Sequence, residues 1–269
     1  MTPISPAPFP RKGVTEVRGP CPLHEMAVPR WGGPAEEHSV IDPKEMQTVA
    51  AGRAKTYAVL AALYAAPPTA ELAATICAGG LAQETSGALT AAADELTACF
   101  LRAASEQLPD SEIVAEHTRL FMLPFGVVPH ESFYVDEKKH LGGRVTVGVQ
   151  RYYAAAAAEL TGACIELPDH MGVELEFMKF LCDIEAQLWQ EPNWEGLQPC
   201  LDFQAGFLGE HLLQWHRALC ERILGESALD LYRALARLTI DFLEAERAFV
   251  PELAGEVCSE GRTACLCES

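Results

Sequence analysis

The chain reads as an all-α protein. Three observations point there. Apolar residues recur at helical spacing through most of the 269 residues. The breaks in that pattern fall on proline and glycine clusters. No stretch shows a convincing alternation of apolar and polar residues, and no segment repeats. The expectation is one helical-bundle domain from about residue 43 to 250, stacked around a buried central helix. A Pro/Gly-rich, disordered N-terminal segment (1–42) precedes it and a cysteine-bearing tail (251–269) follows.

The elements follow in order. Pro43 to Ala66 carries Val49, Val59, Leu60 and Leu63 at helical spacing and stops at Pro67-Pro68. Thr69 to about Ala78 suits a short helix ended by Gly79-Gly80. Ser86 to Gln107 is rich in Ala and Leu and ends before Pro109. Asp110 or Ser111 can cap a helix running to Phe121 or Met122. Leu123 to Gly143 breaks the pattern with prolines, glycines and the cluster Pro129-His130-Glu131-Ser132-Phe133-Tyr134, and a loop of that length inside a compact domain is functional or mobile. Val145 to Leu160 is helical, as is Pro168 to about Gln190, which Pro192-Asn193 breaks. About Leu197 to Leu224 forms a long helix ended by Gly225, and Ser227 to about Phe249 is the last, with Pro251 onward as tail.

Composition narrows the function. A hydrophobic content of 49% supports a sizeable core. A formal charge of −18 repels phosphate backbones and argues against nucleic acid as a partner. No apolar run is long enough to span a membrane, so no stable membrane insertion is expected, and the N-terminus does not read as a signal peptide. A cytoplasmic location follows. Of the ten cysteines, Cys77, Cys99, Cys164, Cys182, Cys200, Cys220 and Cys258 are dispersed and read mostly as small buried hydrophobes. The tail spacing Cys258-x6-Cys265-x-Cys267 is not an ordinary zinc pattern. It reads either as incidental thiols or as a metal or redox site, with Cys21 a further candidate.

The helix opening at Pro168 is the most informative stretch. On a wheel at about 100° per residue, Met171, Leu175, Met178 and Cys182 form one apolar stripe, and Phe177, Leu181, Ile184 and Leu188 a second. Asp169, Glu176 and Asp183 fall on the polar side. His170 and Glu174 fall in the apolar sector, one turn apart. A half-buried pair of that kind is costly unless satisfied or used.

Four segments resemble the TorD/DmsD family of molybdoenzyme chaperones. They are Glu116-His117-Thr118-Arg119-Leu120-Phe121 with Pro124, then Pro129 to Tyr134, then Pro168-Asp169-His170 with Glu174-Leu175-Glu176-Phe177-Met178, and lastly Phe207-Leu208, His211-Leu212 and Trp215. Their order and spacing fit over roughly residues 50 to 245, and the third is the most specific. His130 stands where the family usually has an aromatic residue. The resemblance implies an all-helical, non-catalytic chaperone with no cofactor of its own. Its partner would be the apo form of a molybdopterin oxidoreductase subunit and its twin-arginine leader, held back from export until the cofactor is inserted. It also admits relatives that serve a nitrate reductase subunit lacking an export leader. The protein would be a monomer or a homodimer.

Residue by residue, alternatives stay open. Pro168 and Asp169 can be a helix-start signal only, or Asp169 can be an exposed charge at the mouth of a groove that pairs with a leader's arginines. His170 and Glu174 can be a satisfied structural pair or contact the client. Metal ligation would need more than one His and one Glu. Glu185 also falls in the apolar sector, and Arg119 or Arg151 could neutralise it or Glu174. Glu131, Phe133 and Tyr134 suit either an Arg-containing peptide or a loop closing the bundle. Phe207, Leu208, Leu212 and Trp215 read chiefly as core, with His211 at the border of that face. The candidate client-binding set is therefore Glu131, Tyr134, Asp169, His170, Glu174, Glu176, His211 and Trp215. The acidic rim Glu131, Asp169, Glu174 and Glu176 would face a cationic leader. The competing reading is a small helical metalloprotein using His170, Glu174, His211 and also His216.

Overall fold

The computed structural model describes residues 41–79, 81, 88–105, 110–160 and 166–267, with backbone alone at 88 and 261–267. The N-terminal segment 1–40 lies outside the described residues, as do Cys21, Cys164 and residues 268–269. Among the described residues the protein is helical with no strand. The helices are α1 Pro43–Ala65, α2 Ala70–Cys77, α3 Ala88–Ser105, α4 Asp110–His117, α5 Glu131–Val135, α6 Arg144–Ala155, α7 Met171–Gln190, α8 Trp194–Phe207, α9 Leu213–Glu226 and α10 Asp230–Cys267. Two π-helical turns, Thr118–Met122 and Leu208–Leu212, extend α4 and join α8 to α9.

Local sequence explains most of the ends. Asp42 caps α1 by accepting the Lys44 N–H at 2.9 Å, and Pro43 occupies the first turn. Thr69 caps α2 through the Leu72 N–H at 3.2 Å, and Asn193 caps α8 through the Gly196 N–H at 3.0 Å.

The central helix is α7. Twelve of its residues are buried, among them Leu175, Phe177, Met178, Leu181 and Cys182. Helix α1 packs most extensively along it, while α10 lies against α3, α8 and α9. Cys182, Cys200 and Cys220 sit in the core, as small hydrophobes do.

A buried polar network fastens α1, α7, α8 and α10 together. Arg53 Nε donates to Glu246 Oε1 at 2.9 Å and Nη1 to Glu185 Oε2 at 2.5 Å, while Nη2 donates to Gln204 Oε1 at 2.7 Å. Gln204 and Trp189 donate to Glu185, and Tyr57 to Glu246. Glu185 is thus neutralised by Arg53. Arg119 pairs instead with Glu116 at 2.7 Å, and Arg151 is exposed. The signal for Arg53 was a lone cation between Ala50, Ala54 and Tyr57 on the buried side of α1.

Helix α10 does not stop before Pro251. It runs on to Cys267. Leu253, Ala254 and Val257 bury themselves against Ile41, Ala50, Trp189, Leu197 and Leu201 in a second, smaller core. Proline here forfeits one backbone hydrogen bond, and the apolar positions beyond it hold the helix together. Cys258 therefore lies on a helix, and so does the backbone of Cys265 and Cys267.

Candidate functional site

The site is organised by a short extended pairing between two loops. Residues 130 and 170 form an isolated antiparallel bridge. The Glu131 N–H donates to Asp169 O and the Met171 N–H to Pro129 O, each at 2.9 Å. This pairing corrects the expectation for Pro168 and Asp169. Those residues are not the first turn of α7. Pro168 O accepts the Tyr153 hydroxyl at 2.8 Å, and His170 is the cap, its Nδ1 accepting the Gly172 N–H at 3.0 Å.

Asp169 is fully buried rather than exposed at a groove mouth. Its Oδ2 accepts the Ser132 N–H at 3.0 Å and so caps α5, whose own N-cap, His130, makes no side-chain cap bond. Its Oδ1 faces His130 Nδ1 at 3.9 Å, beyond hydrogen-bond reach. The His130 and His170 rings meet edge to face, centroids 5.1 Å apart. Burial lowers the His130 pKa, against the pull of Asp169 and Glu166.

Glu131 joins this pairing to the π turn before α9. Its carboxylate lies 2.9 and 3.1 Å from His211 Nδ1. The His211 imidazole is packed by Tyr152 and Phe207. A Cβ at position 148 would stand 3.2 Å from His211 Cε1, so Gly148 lets α6 close on the ring. Glu131 also faces Glu174. Burial pushes the Glu174 pKa well above the carboxylate range, and the Glu131 charge pushes it further. Burial and the neighbouring Glu131 charge thus both favour the neutral carboxyl at Glu174, and its Oε2 accepts the Trp215 indole N–H at 3.2 Å. The Tyr134 ring stacks on Trp215 at 5.6 Å and 29°.

Seven of the eight candidate residues thus converge: Glu131, Tyr134, Asp169, His170, Glu174, His211 and Trp215. Only Tyr134 among them is more than marginally exposed. Glu176 is not brought to the cluster. It shares the outer side of α7 with Lys179 and Asp183, which pair at 2.8 Å. The residues proposed for a metal each have a protein partner: Gly172 for His170, Trp215 for Glu174, Glu131 for His211, and Leu212 O at 3.2 Å for His216. Among the described residues no three His, Cys, Asp or Glu side chains are grouped to hold an ion.

His211 owes its placement to the π turn at Leu208–Leu212. Phe207, Leu208, Leu212 and Trp215 share one buried face, as their spacing at about 100° per residue already gives, so the π turn itself left no signal in the sequence. Ser132 gave none either. Its role depends on Asp169 and on Gly142, whose N–H donates to Ser132 Oγ at 3.0 Å.

Comparison with known proteins agrees with this architecture. A family model described as nitrate reductase delta subunit matches residues 82–221. A protein named Chaperone protein TorD from Vibrio cholerae serotype O1 is 28% identical over 176 residues, 65% of this chain and 77% of the relative. Relatives of the same name from Vibrio parahaemolyticus and Photobacterium profundum are 24% and 28% identical, over 60% and 52% of this chain and 75% and 64% of their own lengths. The matched span is over half of the chain and contains all four motif segments, so the chain belongs to the nitrate reductase delta subunit family, the TorD/DmsD family that its motifs resemble.

Proposed function

We propose that this protein is a cytoplasmic maturation chaperone for a molybdopterin-dependent oxidoreductase subunit. It binds the apo subunit and its twin-arginine leader, assists cofactor insertion, and delays export until the subunit is complete. The observation that carries this reading is the likeness, over about two thirds of the chain, to relatives named as chaperones. Among the described residues no helix is long and apolar enough to cross a membrane.

The geometry supports a particular use of the acid cluster. Glu131, Asp169 and Glu174 are buried, so a leader's arginines reach them only when the 129–142 segment lifts away from α7 and α9. In the closed state these residues hold the segment down. In the open state they present carboxylates beside Tyr134 and Trp215, a setting that suits guanidinium groups with apolar flanks. Glu176 contributes from outside the cluster. His211, released from Glu131, gives up its place to the incoming cation.

The test is a pull-down from the native host with tagged full-length protein, alongside titration of a synthetic twin-arginine leader peptide at low and high salt. Recovery of a molybdopterin oxidoreductase subunit, with salt-sensitive peptide binding that Glu131→Gln and Asp169→Asn weaken, supports the reading. Peptide affinity indifferent to salt and to both substitutions removes the cluster from it, and failure to recover such a subunit removes the chaperone assignment. One variant of the same reading, compatible with the family's description as nitrate reductase delta subunit, has as its client a nitrate reductase subunit without a leader. Recovery of a client with no twin-arginine motif identifies that variant.

A further inference from the structure

The loop after the first π turn exposes four consecutive apolar residues, Met122 to Phe125, and Phe125 is 96% exposed. This loop is tightly built. The Leu123 N–H donates to Thr118 O at 3.1 Å, the Gly126 N–H to Leu123 O at 3.0 Å, and the Val127 N–H to Leu120 O at 2.6 Å. Arg222 on α9 clamps it from below through Gly126 O at 3.2 Å. A Cβ at position 126 would stand 2.3 Å from Leu120 O, so only glycine fits under the turn. A fixed aromatic held out in water is the feature of a binding anchor.

The same Arg222 reaches sideways to the Phe133 ring, 5.8 Å from its centroid, and Lys139 lies 5.6 Å from that ring. The apolar loop therefore continues into a cationic one. Lys138, Lys139 and Arg144 are exposed, and none is ion-paired with a carboxylate among the described residues. Asp136 and Glu137 are the acids of that loop, and Asp136 is occupied by the Lys138 N–H at 2.8 Å. Glu226 answers Arg222 at 2.9 Å. The chain as a whole carries −18, yet here Lys138, Lys139, Arg144 and Arg222 outnumber Asp136, Glu137 and Glu226, beside the chain's most exposed apolar residues among those described.

We propose that the surface formed by Met122, Leu123, Phe125, Phe133 and the Lys138–Lys139 loop docks an apolar peptide segment bearing carboxylates, contributed by a partner polypeptide. The apolar side chains of that segment cover Phe125 and its neighbours, and its carboxylates meet Lys138, Lys139 and Arg144. A cationic leader is the wrong chemistry for this face, so the surface adds a second contact to the proposed function and stands without it.

The experiment uses the full chain and three fluorescent peptides with the same Leu and Phe positions, interleaved with Glu, Ser or Lys, read by anisotropy. The Glu peptide binds tightest, and its affinity falls roughly tenfold as salt rises to about 1 M, where the screening length shrinks to about 3 Å. Phe125→Ser weakens all binding, and Lys138→Glu with Lys139→Glu removes the preference for the Glu peptide. All three positions are exposed, so unchanged thermal melts confirm folded variants. Equal affinity for the three peptides, or affinity unmoved by these substitutions, overturns the proposal. Tighter binding of the Lys peptide reassigns the face to a cationic partner. Self-association in sedimentation that Phe125→Ser abolishes reassigns it to a second copy of the chain.

Discussion

His211 Nδ1 lies 2.9 Å from Glu131 Oε2, with both side chains almost wholly buried. This contact ties the π turn before α9 to the loop that pairs with the cap of α7. Its removal leaves Glu131 facing the Glu174 carboxyl without its partner. His211→Ala should therefore destabilise the protein by about 1–3 kcal/mol, the range for leaving a buried polar group without its hydrogen-bond partner. Glu131→Gln combined with His211→Ala should cost less than the sum of the two single changes. Urea unfolding of the four proteins measures the coupling, and strict additivity would show that the two side chains do not act together.

Glu174 gives a pH signature with a definite sign. Burial raises its folded pKa well above the ordinary range. Between the unfolded value of about 4.3 and that raised value, the native state binds more protons than the unfolded state, so stability falls as pH rises through this window. Glu174→Gln mimics the protonated form and keeps a donor toward Glu131. The variant should match wild type near pH 4 and exceed it by a growing margin as pH rises toward neutrality. Denaturant midpoints across pH 4 to 8, as an order-of-magnitude span for carboxyl titration, should diverge in that direction. Parallel curves would mean that Glu174 is ionised in the fold.

His130 gives the opposite sign. Its pKa is lowered by burial, so its contribution is present above about 6.5, the ordinary imidazole value, and is lost as pH falls toward the depressed one. The groups facing it are Asp169, Glu166 and His170. His130→Phe should keep the edge-to-face contact with His170 and flatten the acid side of the stability profile. A variant that still loses stability as pH falls below about 6.5 as wild type does would place that titration elsewhere, His216 being another histidine whose pKa burial lowers.

How much of this was legible depends on whether the deciding interaction is local. The end of α1 at Pro67-Pro68 and the start of α2 at Thr69 followed from local signals, whereas Asn193 read only as a breaker and the next helix was expected from about Leu197, although Asn193 caps α8 at Trp194. The placement of His170 and Glu174 in an apolar sector followed from helical periodicity, and both are buried and hydrogen-bonded. Asp169 misled because Pro-Asp before an apolar run is a sound local start signal. Pairing with residues 129–131, some forty positions away, drew it out of the helix and into the core. The π turn holding His211 left no trace, since Phe207, Leu208, Leu212 and Trp215 lie on one face at ordinary helical spacing. The partner of Glu185 left none either, since Arg53 is more than a hundred residues distant.

The Arg53 network carries the next test. Arg53→Met leaves Glu185 and Glu246 buried without their cation. The loss should reach about 3–5 kcal/mol, read as a lower denaturant midpoint with an unchanged slope. Adding Glu246→Gln should recover part of it by removing one stranded charge. If Arg53→Met alone is neutral, the carboxylates are reached by water and the network does not fasten α1 to α10.

The last prediction concerns the continuation of α10. Deleting residues 251–269 takes away Leu253, Ala254 and Val257, which cover Ala50, Trp189, Leu197 and Leu201. Leu and Val each contribute roughly 1.5–3 kcal/mol when fully buried, and the indole of Trp189 becomes wet as well. The truncated chain should lose several kcal/mol and show a red-shifted tryptophan emission while its main core, centred on α7, stays folded. Substituting Pro251→Ala in the full chain should act the other way, restoring a backbone donor at an exposed helical position, where proline is about 3 kcal/mol less favourable than alanine. A truncation that leaves stability and emission unchanged would mean that α10 ends at Pro251 in solution and that the second core is closed without it.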